Sequence, residues 1–184
     1  MAKALRPWKT LSKRSVLDFN KFLRVESHTI KLPDGSIIDD WAWVISPDAV
    51  IVLACDENGY FLCFRQTKYA VDGTSLAPVG GMLGKDEEPL VAAKRELLEE
   101  TGYEANKWVN LGSFVLEPNR GVETVHLFLA LGAQTVSHPD SDDLEDQELL
   151  LLSKEELKSA LHKGEFKVLS WTAVVAMALN WLGY

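Results

Sequence analysis

The chain has 184 residues, 47% hydrophobic and 25% charged, which suits one soluble globular domain with a substantial core. Its formal net charge of −8, without a basic stripe, argues against nucleic acid as a partner. No apolar run reaches the length of a membrane span, and the first residues lack the apolar stretch of a signal peptide. We therefore expect no membrane partner and a cytoplasmic location. Cys55 and Cys63 lie in apolar, strand-like runs and are expected to be buried thiols, in keeping with a reducing compartment.

The hydrophobic pattern predicts two hairpins in the first third of the chain. Strands at 22–32 and 37–45 flank a Pro-Asp-Gly-Ser turn, and strands at 49–55 and 60–66 flank a second turn that contains Asn-Gly. A helix follows near residue 89. The remaining predicted elements are strands at 108–116 and 123–131, an acidic, mobile loop at 137–147, a strand at 148–152, and helices at 153–162 and 168–182. Strands mixed with helices in this order indicate an α/β sandwich.

A cluster of acidic side chains lies at the end of the first predicted helix. The helix starts at Pro89, which the first turn tolerates, and it ends before Gly102, a common terminating residue. Residues three and four apart share a helix face, so Glu96 lies beside both Glu99 and Glu100. Like charges at this spacing repel one another and oppose the helix dipole. This face is therefore either solvated or neutralised by a cation.

The register of the surrounding residues favours the cation. Seven residues of given types stand at fixed spacings in this segment, namely Gly81, Glu87, Arg95, Glu96, Glu99, Glu100 and Gly102. With each type at roughly 5–7% frequency, a chance match is on the order of one in a hundred million. Oxygen ligands without a neighbouring His or Cys select Mg²⁺ or Mn²⁺ over zinc. The glycine pair before the helix lets the backbone approach a ligand, and a free carbonyl there can add another oxygen ligand.

The segment from Gly81 to Tyr103 resembles the Nudix box, which has these residues at these spacings. The resemblance implies a Nudix-type α/β/α sandwich with a mixed central sheet, and a metal-dependent hydrolase of nucleoside diphosphates linked to another moiety. It implies Mg²⁺, with Mn²⁺ as the alternative ion. The implied metal ligands are Gly80 through its carbonyl, Glu96, Glu99 and Glu100, and Glu100 is also counted as catalytic. The implied structural residues are Gly81, Glu87, Arg95 and Gly102. Glu87 is either a further ligand or only the partner of Arg95.

Other motifs resemble the ADP-ribose and ADP-sugar pyrophosphatases over roughly residues 20–182. Pro118 stands fifteen residues after Tyr103, where that subfamily has a characteristic proline. The run that begins Arg65-Gln66 is similar to the subfamily's Arg-Gln-x-Arg/Lys-Tyr motif. Two departures border the expected cleft: Ala77 stands in place of a glutamate, and Asn119 stands in place of a glycine.

Several residues outside the box are candidates for substrate binding. Arg65 has a planar fork that can hold two phosphate oxygens, or it is a surface arginine at a strand end. Trp41 and Trp43 alternate on a predicted strand and share one face. The resemblance implies that they sandwich the base, often across a dimer interface; the alternative is packing in the core or in the dimer contact. Pro118 and Glu123 are further candidates at the cleft.

The resemblance places the general base in the acidic loop before the last strand. The candidates there are Asp142, Asp143, Glu145 and Asp146, of which Glu145 is the first choice and Asp143 the second. The alternative is that most of these acids are only a solvated run of charges that contributes to solubility.

The expected reaction is Mg²⁺-dependent hydrolysis of a nucleoside diphosphate sugar, with ADP-ribose cleaved to AMP and ribose 5-phosphate as the first choice. GDP-mannose or another nucleoside diphosphate sugar is the alternative substrate. An alternative of another class is a catalytically silent sensor of ADP-ribose-like ligands, which the complete set of box glutamates disfavours. We expect an N-terminal strand extension at 1–45 in a homodimer contact and a hydrolase domain at 46–184.

Overall fold

The computed structural model describes residues 5–20, 22–140 and 146–184. The chain divides into two compact units. The N-terminal unit comprises Met1–Pro47 with Val115–Thr124, and the main unit comprises Asp48–Phe114 with Val125–Tyr184.

A three-stranded antiparallel sheet forms the N-terminal unit, in the order β1 (Lys9–Asp18), β2 (Arg24–Lys31) and β3 (Ile37–Ile45). The turn between β2 and β3 closes because the carboxylate of Asp34 accepts hydrogen bonds from the backbone N–H and the hydroxyl of Ser36, at 2.9 and 2.6 Å. Strands β2 and β3 match the predicted hairpin. Strand β1 was not predicted, since it is exposed along its whole length and has no alternation of apolar and polar residues.

The main sheet is mixed. Its strands are β4 (Ala49–Asp56), β5 (Phe61–Lys68), β6 (Val71–Ala77), β7 (Val79–Met82), β8 (Tyr103–Glu117), β9 (Val122–Thr135) and β10 (Gln147–Leu152). Their order is β10-β5-β4-β9-β8, with β6 paired to β5 and β7 paired to β4. Strand β4 is parallel to β9 and antiparallel to β5 and β7.

The core of the main unit lies around β4, which is buried from Ala49 to Cys55. A strand buried at every position is covered on both faces, because successive side chains point to opposite sides. Helix α1 (Pro89–Thr101) packs on β7 and β4, and α3 (Leu169–Trp181) packs on β4. Helix α2 (Lys154–His162) packs beside α3 and β10. This arrangement of helices on a mixed sheet confirms the predicted α/β fold class.

The predicted strands and helices of the main unit are present, and two further strands were not predicted. Strands β6 and β7 were missed because this stretch contains Gly73, Gly80 and Gly81, which interrupt any apolar alternation. The predicted capping start of α2 is present, with Ser153 as the N-cap residue and reciprocal hydrogen bonds to Glu156. Both cysteines are buried free thiols. No helix in the described part of the chain is long and apolar enough to cross a membrane.

Candidate active site

The C-terminal end of α1 brings the acidic helix face and the start of the acidic loop together. Gly102 ends the helix in the left-handed conformation, with φ of 73°, and its N–H donates to Leu98 O. The Gly102 carbonyl accepts hydrogen bonds from the backbone N–H groups of Val136 and Ser137 at 2.8 and 3.2 Å. The N–H of Asp140 donates to Glu99 O at 2.9 Å. Residues 136–140 are thereby fixed along the end of the helix that carries the glutamates.

Arg95 is the centre of an ion-pair cluster within the box. Its Nε and Nη2 atoms donate to the two carboxylate oxygens of Glu87, both at 2.9 Å. Its Nη1 atom donates to Glu96 Oε1 at 2.7 Å and to Glu99 Oε2 at 3.0 Å. Nη2 also donates to the carbonyl oxygen of Met82 at 3.2 Å. One guanidinium thus gathers three carboxylates and ties α1 to β7.

These contacts shift the ionisation of the pair that forms the anchor. The pKa of Glu87 is lowered by the hydrogen bonds from Arg95 and further by the N–H of Gly84, which donates at 2.7 Å. The pKa of Arg95 is raised, foremost by its hydrogen bonds to Glu87. Both groups are therefore charged at neutral pH. In this structure Glu87 is the partner of Arg95, and its alternative role as a metal ligand stays a prediction.

The two glycines before the helix lie against the box carboxylates. In the β7–β4 pairing Gly80 is opposite Ile51 and Gly81 is opposite Val50. A Cβ atom on Gly81 would lie 2.3 Å from the carboxylate carbon of Glu96, so any side chain there would force that carboxylate to move. The N–H of Gly80 points to Glu100 Oε2 at 3.4 Å.

The donors around this glycine pair are oxygens and suit a hard divalent cation. Glu96 and Glu100 lie against the β7 backbone, and Glu99 is on the same helix face. Among the described residues, no group of three or more Asp, Glu, His or Cys side chains converges as a finished metal cage. Glu96 and Glu99 instead both contact Arg95. The oxygen donors therefore fit a hard cation in kind, and the role of the three glutamates as metal ligands stays a prediction.

Arg65 lies on β5, in the main unit, and is half exposed. Its Nη2 atom is 3.4 Å from Glu165 Oε2, in the segment between α2 and α3. That segment is fixed to β6, because the Glu165 carbonyl accepts from the N–H of Leu76 and from the hydroxyl of Ser75. Sequence reasoning missed Glu165, since the two partners are 100 residues apart and no local motif joins them.

The two tryptophans of the N-terminal unit already have partners there. Trp41 donates its indole N–H to the carbonyl of Asn119 at 2.6 Å, and its ring contacts the edge of Trp8 at 5.3 Å between centroids. Trp43 stacks on the buried ring of His28, with 5.2 Å between centroids and 18° between planes. These contacts hold both rings on β3, and their role in binding a base stays a prediction.

Pro118 and Glu123 belong to the segment that connects β8 and β9 in the N-terminal unit. Pro118 is in a turn closed by hydrogen bonds from Arg120 and Gly121 to Glu117 O, and the Arg120 carbonyl accepts from Val44 of β3. Glu123 has a φ of 35°, a conformation that residues other than glycine rarely adopt. Strain of this kind is often found at functional positions.

The predicted general bases fall mainly on residues that the structure does not describe. Asp142, Asp143 and Glu145 lie outside the described residues. Asp146 is described and exposed, immediately before β10. The assignment of the base to Glu145 or Asp143 therefore stays a prediction.

Comparison with known families agrees with the box and the fold. The NUDIX domain family matches residues 45–172, so the chain belongs to this family and is a Nudix hydrolase. Members of the family generally use divalent metal ions such as Mg²⁺. Residues 8–44 match the family described as "Nucleoside diphosphate sugar hydrolase N-terminal domain".

Two relatives and one solved structure are similar to this chain over most of its length. The chain is 30% identical over 174 residues to an ADP-ribose pyrophosphatase of Bacillus subtilis, covering 95% of this chain and 91% of the relative. It is 27% identical over 151 residues to a GDP-mannose pyrophosphatase of Cronobacter sakazakii, covering 77% and 78%. A solved structure titled "Crystal structure of ADP compounds hydrolase" superposes with a TM-score of 0.83, at 18% identity, over 99% of this chain and 97% of that one. The last match supports the fold.

Proposed function

We propose that this protein hydrolyses the diphosphate bond of an ADP-sugar, with ADP-ribose cleaved to AMP and ribose 5-phosphate as the leading reaction. The observation that carries the proposal is the placement of Glu96 and Glu100 against the glycine pair of β7, at the end of the box helix. The similarity to an ADP-ribose pyrophosphatase over nearly the whole chain supports the choice of sugar nucleotide.

Glu96, Glu99 and Glu100 are the proposed metal ligands, together with the carbonyl of Gly80. Their hard oxygen atoms favour Mg²⁺, with Mn²⁺ as a substitute. Bound Mg²⁺ would neutralise charge that develops on the phosphoryl oxygens and lower the pKa of the attacking water. The chain itself orients the ligands, since α1 packs directly on β7 and its last turn is tied to residues 136–140.

A carboxylate of the acidic loop is proposed as the general base that accepts a proton from the attacking water. Glu145 is the first choice and Asp143 the second. The hydrogen bond between the Asp140 N–H and Glu99 O supports this assignment, because it anchors the chain that leads into the loop at the glutamate end of α1. Because the start of the loop is held at this point, an acid of the loop is a better candidate for the general base than an acid elsewhere in the sequence.

The substrate contacts are proposed from side-chain chemistry. Arg65 offers a half-exposed guanidinium for the diphosphate, since its contact to Glu165 is long and leaves donors available. Trp41 and Trp43 are proposed as stacking residues for the base, with about 1–3 kcal/mol available per stacked base. Pro118 and Glu123 are proposed as further residues that contact the substrate.

We also propose a homodimer formed through the N-terminal sheet. Strand β1 is exposed on both faces, and Ile30 is the one buried apolar residue among the described residues of this unit. Exposed apolar side chains are concentrated there, including Trp8, Leu11, Val16, Phe19 and Ile37. A three-stranded sheet with so little core needs a covering surface, and a second copy of the chain supplies an equally apolar one.

Sedimentation of the wild type and two variants tests the dimer. Val16→Glu places a charge on β1 and is expected to give a monomer. Leu169→Glu places the same charge on a still more exposed apolar residue of the main unit and is expected to leave the dimer intact. A wild-type monomer at working concentrations would remove the dimer proposal.

GDP-mannose is the second candidate substrate, because a GDP-mannose pyrophosphatase is similar over most of this chain. A panel of ADP-ribose, ADP-glucose and GDP-mannose, assayed with Mg²⁺ and with Mn²⁺, decides between them. We expect the highest kcat/KM with ADP-ribose.

Two variants test the site within the same panel. Glu100→Gln is expected to lower kcat at least about 100-fold, since it removes a charged ligand. Glu104→Gln changes an exposed acid just beyond the box and is expected to stay within about twofold of the wild type. Tight binding of one compound without turnover of any would contradict the proposed hydrolysis and indicate a ligand sensor.

A further inference from the structure

Arg95 divides its hydrogen bonds between two sets of partners. The edge formed by Nε and Nη2 makes a two-bond fork with Glu87, at 2.9 Å for each bond. The remaining nitrogen, Nη1, makes both contacts to the acidic helix face, at 2.7 Å to Glu96 and 3.0 Å to Glu99. The guanidinium can therefore lose one set of partners and keep the other.

The fork with Glu87 does not depend on the acidic helix face. The Glu87 carboxylate is only 16% exposed and is also fixed by the N–H of Gly84, at 2.7 Å. A bidentate arginine–carboxylate pair of this geometry is among the stronger ion pairs in proteins. Nη2 is fixed further by the Met82 carbonyl. These contacts hold the guanidinium in place whatever Nη1 contacts.

The contacts of Nη1 concern the negative charges of the acidic helix face. Glu96, Glu99 and Glu100 lie on one helix face, near the negative end of the helix dipole, where their charges repel one another. Glu96 is only 13% exposed, so water screens it poorly. In the structure Nη1 is a positive group in direct contact with both carboxylates, at 2.7 Å from Glu96 and 3.0 Å from Glu99.

We propose that Nη1 of Arg95 is an internal counter-cation that holds Glu96 and Glu99 in the metal-free protein and that a divalent cation displaces it. Glu87 keeps the guanidinium anchored during this exchange, so the acidic face is organised before the metal arrives. Arg95 then stabilises the metal-free form more than the metal-bound form and weakens metal affinity. This inference rests on the metal site proposed above.

Thermal unfolding of three variants, with saturating Mg²⁺ and with chelator, tests the exchange. Arg95→Gln is expected to lower Tm by about 5–10 °C in chelator and by roughly half as much in Mg²⁺. Glu87→Gln removes only the anchor and is expected to lower Tm equally in both conditions. Arg120→Gln removes an exposed ion pair to Glu117 and is expected to leave both values unchanged.

Calorimetric titration with Mg²⁺ alone gives a second measurement without substrate. Loss of one positive charge beside the ligands is expected to tighten Mg²⁺ binding by about three- to tenfold in Arg95→Gln. Arg95→Lys keeps a charge but not the fork, and an intermediate affinity is expected. A variant that folds only when Mg²⁺ is present would support the proposal in its strongest form.

Two results would overturn the exchange. Equal losses of Tm in Mg²⁺ and in chelator for Arg95→Gln would mean that Arg95 stays on Glu96 and Glu99 in the metal-bound form. Weaker Mg²⁺ binding in the same variant would mean that Arg95 positions the ligands and does not compete for them. Failure of the wild type to bind Mg²⁺ would instead overturn the proposed metal site, and the inference with it.

Discussion

Replacement of Gly81 by alanine is expected to reduce activity strongly while the fold is kept. The new Cβ atom would lie 2.3 Å from the carboxylate carbon of Glu96, and 3.4 Å is the lower limit of an ordinary contact. The carboxylate must therefore move by about 1 Å or rotate away, since the backbone of β7 is held by its pairing with β4. The same movement stretches the 2.7 Å hydrogen bond from Arg95.

The expected magnitudes separate function from stability. A displacement of about 1 Å in a catalytic site costs on the order of 100-fold in rate. Gly81 is not in the left-handed region, so alanine adds no backbone strain. Glycine to alanine in an extended segment stabilises by up to about 1 kcal/mol through the unfolded chain, which offsets part of the disturbed ion pair. We expect kcat to fall about 100-fold and Tm to stay within about 4 °C of the wild type.

Steady-state hydrolysis of ADP-ribose, Mg²⁺ titration and thermal unfolding of the same preparations check this prediction. Gly84→Ala is the matched control, because its Cβ would meet Glu87 Oε2 at 3.2 Å and needs a shift of only a few tenths of an ångström. We expect that control to keep activity within about threefold. Wild-type kcat and Mg²⁺ affinity in Gly81→Ala would refute the reasoning. A fall in Tm large enough to explain the lost activity by unfolding would also refute it.

Three further predictions follow from single contacts. Gly102→Ala is expected to lower both Tm and kcat, because its Cβ would lie 2.2 Å from the backbone oxygen of Ser137, which cannot rotate away. Glu87→Gln is expected to flatten the acid limb of a plot of Tm against pH. The hydrogen bonds from Arg95 lower the pKa of Glu87 below 4.5, so its contribution is full above about pH 4.5 and is lost as the pH falls further. Ser153→Ala is expected to cost about 0.5–2 kcal/mol in urea unfolding, with unchanged activity.

Each of these predictions has a control on the same chain. Gly164 has a φ of 69° but open space around its Cβ position, so Gly164→Ala measures the backbone strain alone. Equal losses in this variant and in Gly102→Ala would contradict the clash with residue 137. Asp140→Asn leaves the Glu87–Arg95 pair intact and should keep the acid limb of the wild type. If Ser153→Ala lost activity at full stability, the capping box would have a role beyond stabilising α2.

Local signals allowed much of the fold to be predicted. Helix α1 was predicted from its N-terminal proline and from Gly102, and both act within a few residues of the chain. The α2 capping box is equally local. Strand β1 carries no such signal, since every residue of it is exposed. Strands β6 and β7 were missed because glycines break the pattern that a strand usually shows.

The candidate site was predicted in composition more fully than in geometry. The pairing of Arg95 with Glu87, expected from the sequence, is present. The Met82 carbonyl was not predicted as a partner of Arg95, because a backbone oxygen has no residue identity to read. Glu165 was not predicted beside Arg65, because their proximity depends on how β5 lies next to the segment after α2. The roles assigned to Trp41 and Trp43 stay predictions.

The sequence by itself determined the class of reaction through its resemblance to the Nudix box, and the period of an α-helix placed Glu96, Glu99 and Glu100 on one face wherever the helix lies. Only the tertiary structure decided what those carboxylates meet. The approach of β7 to α1 sets Gly81 against Glu96 and brings the Met82 carbonyl to Arg95. Helical periodicity is a property of neighbouring residues, whereas the neighbours of a charge depend on the packing of segments that are distant in the chain.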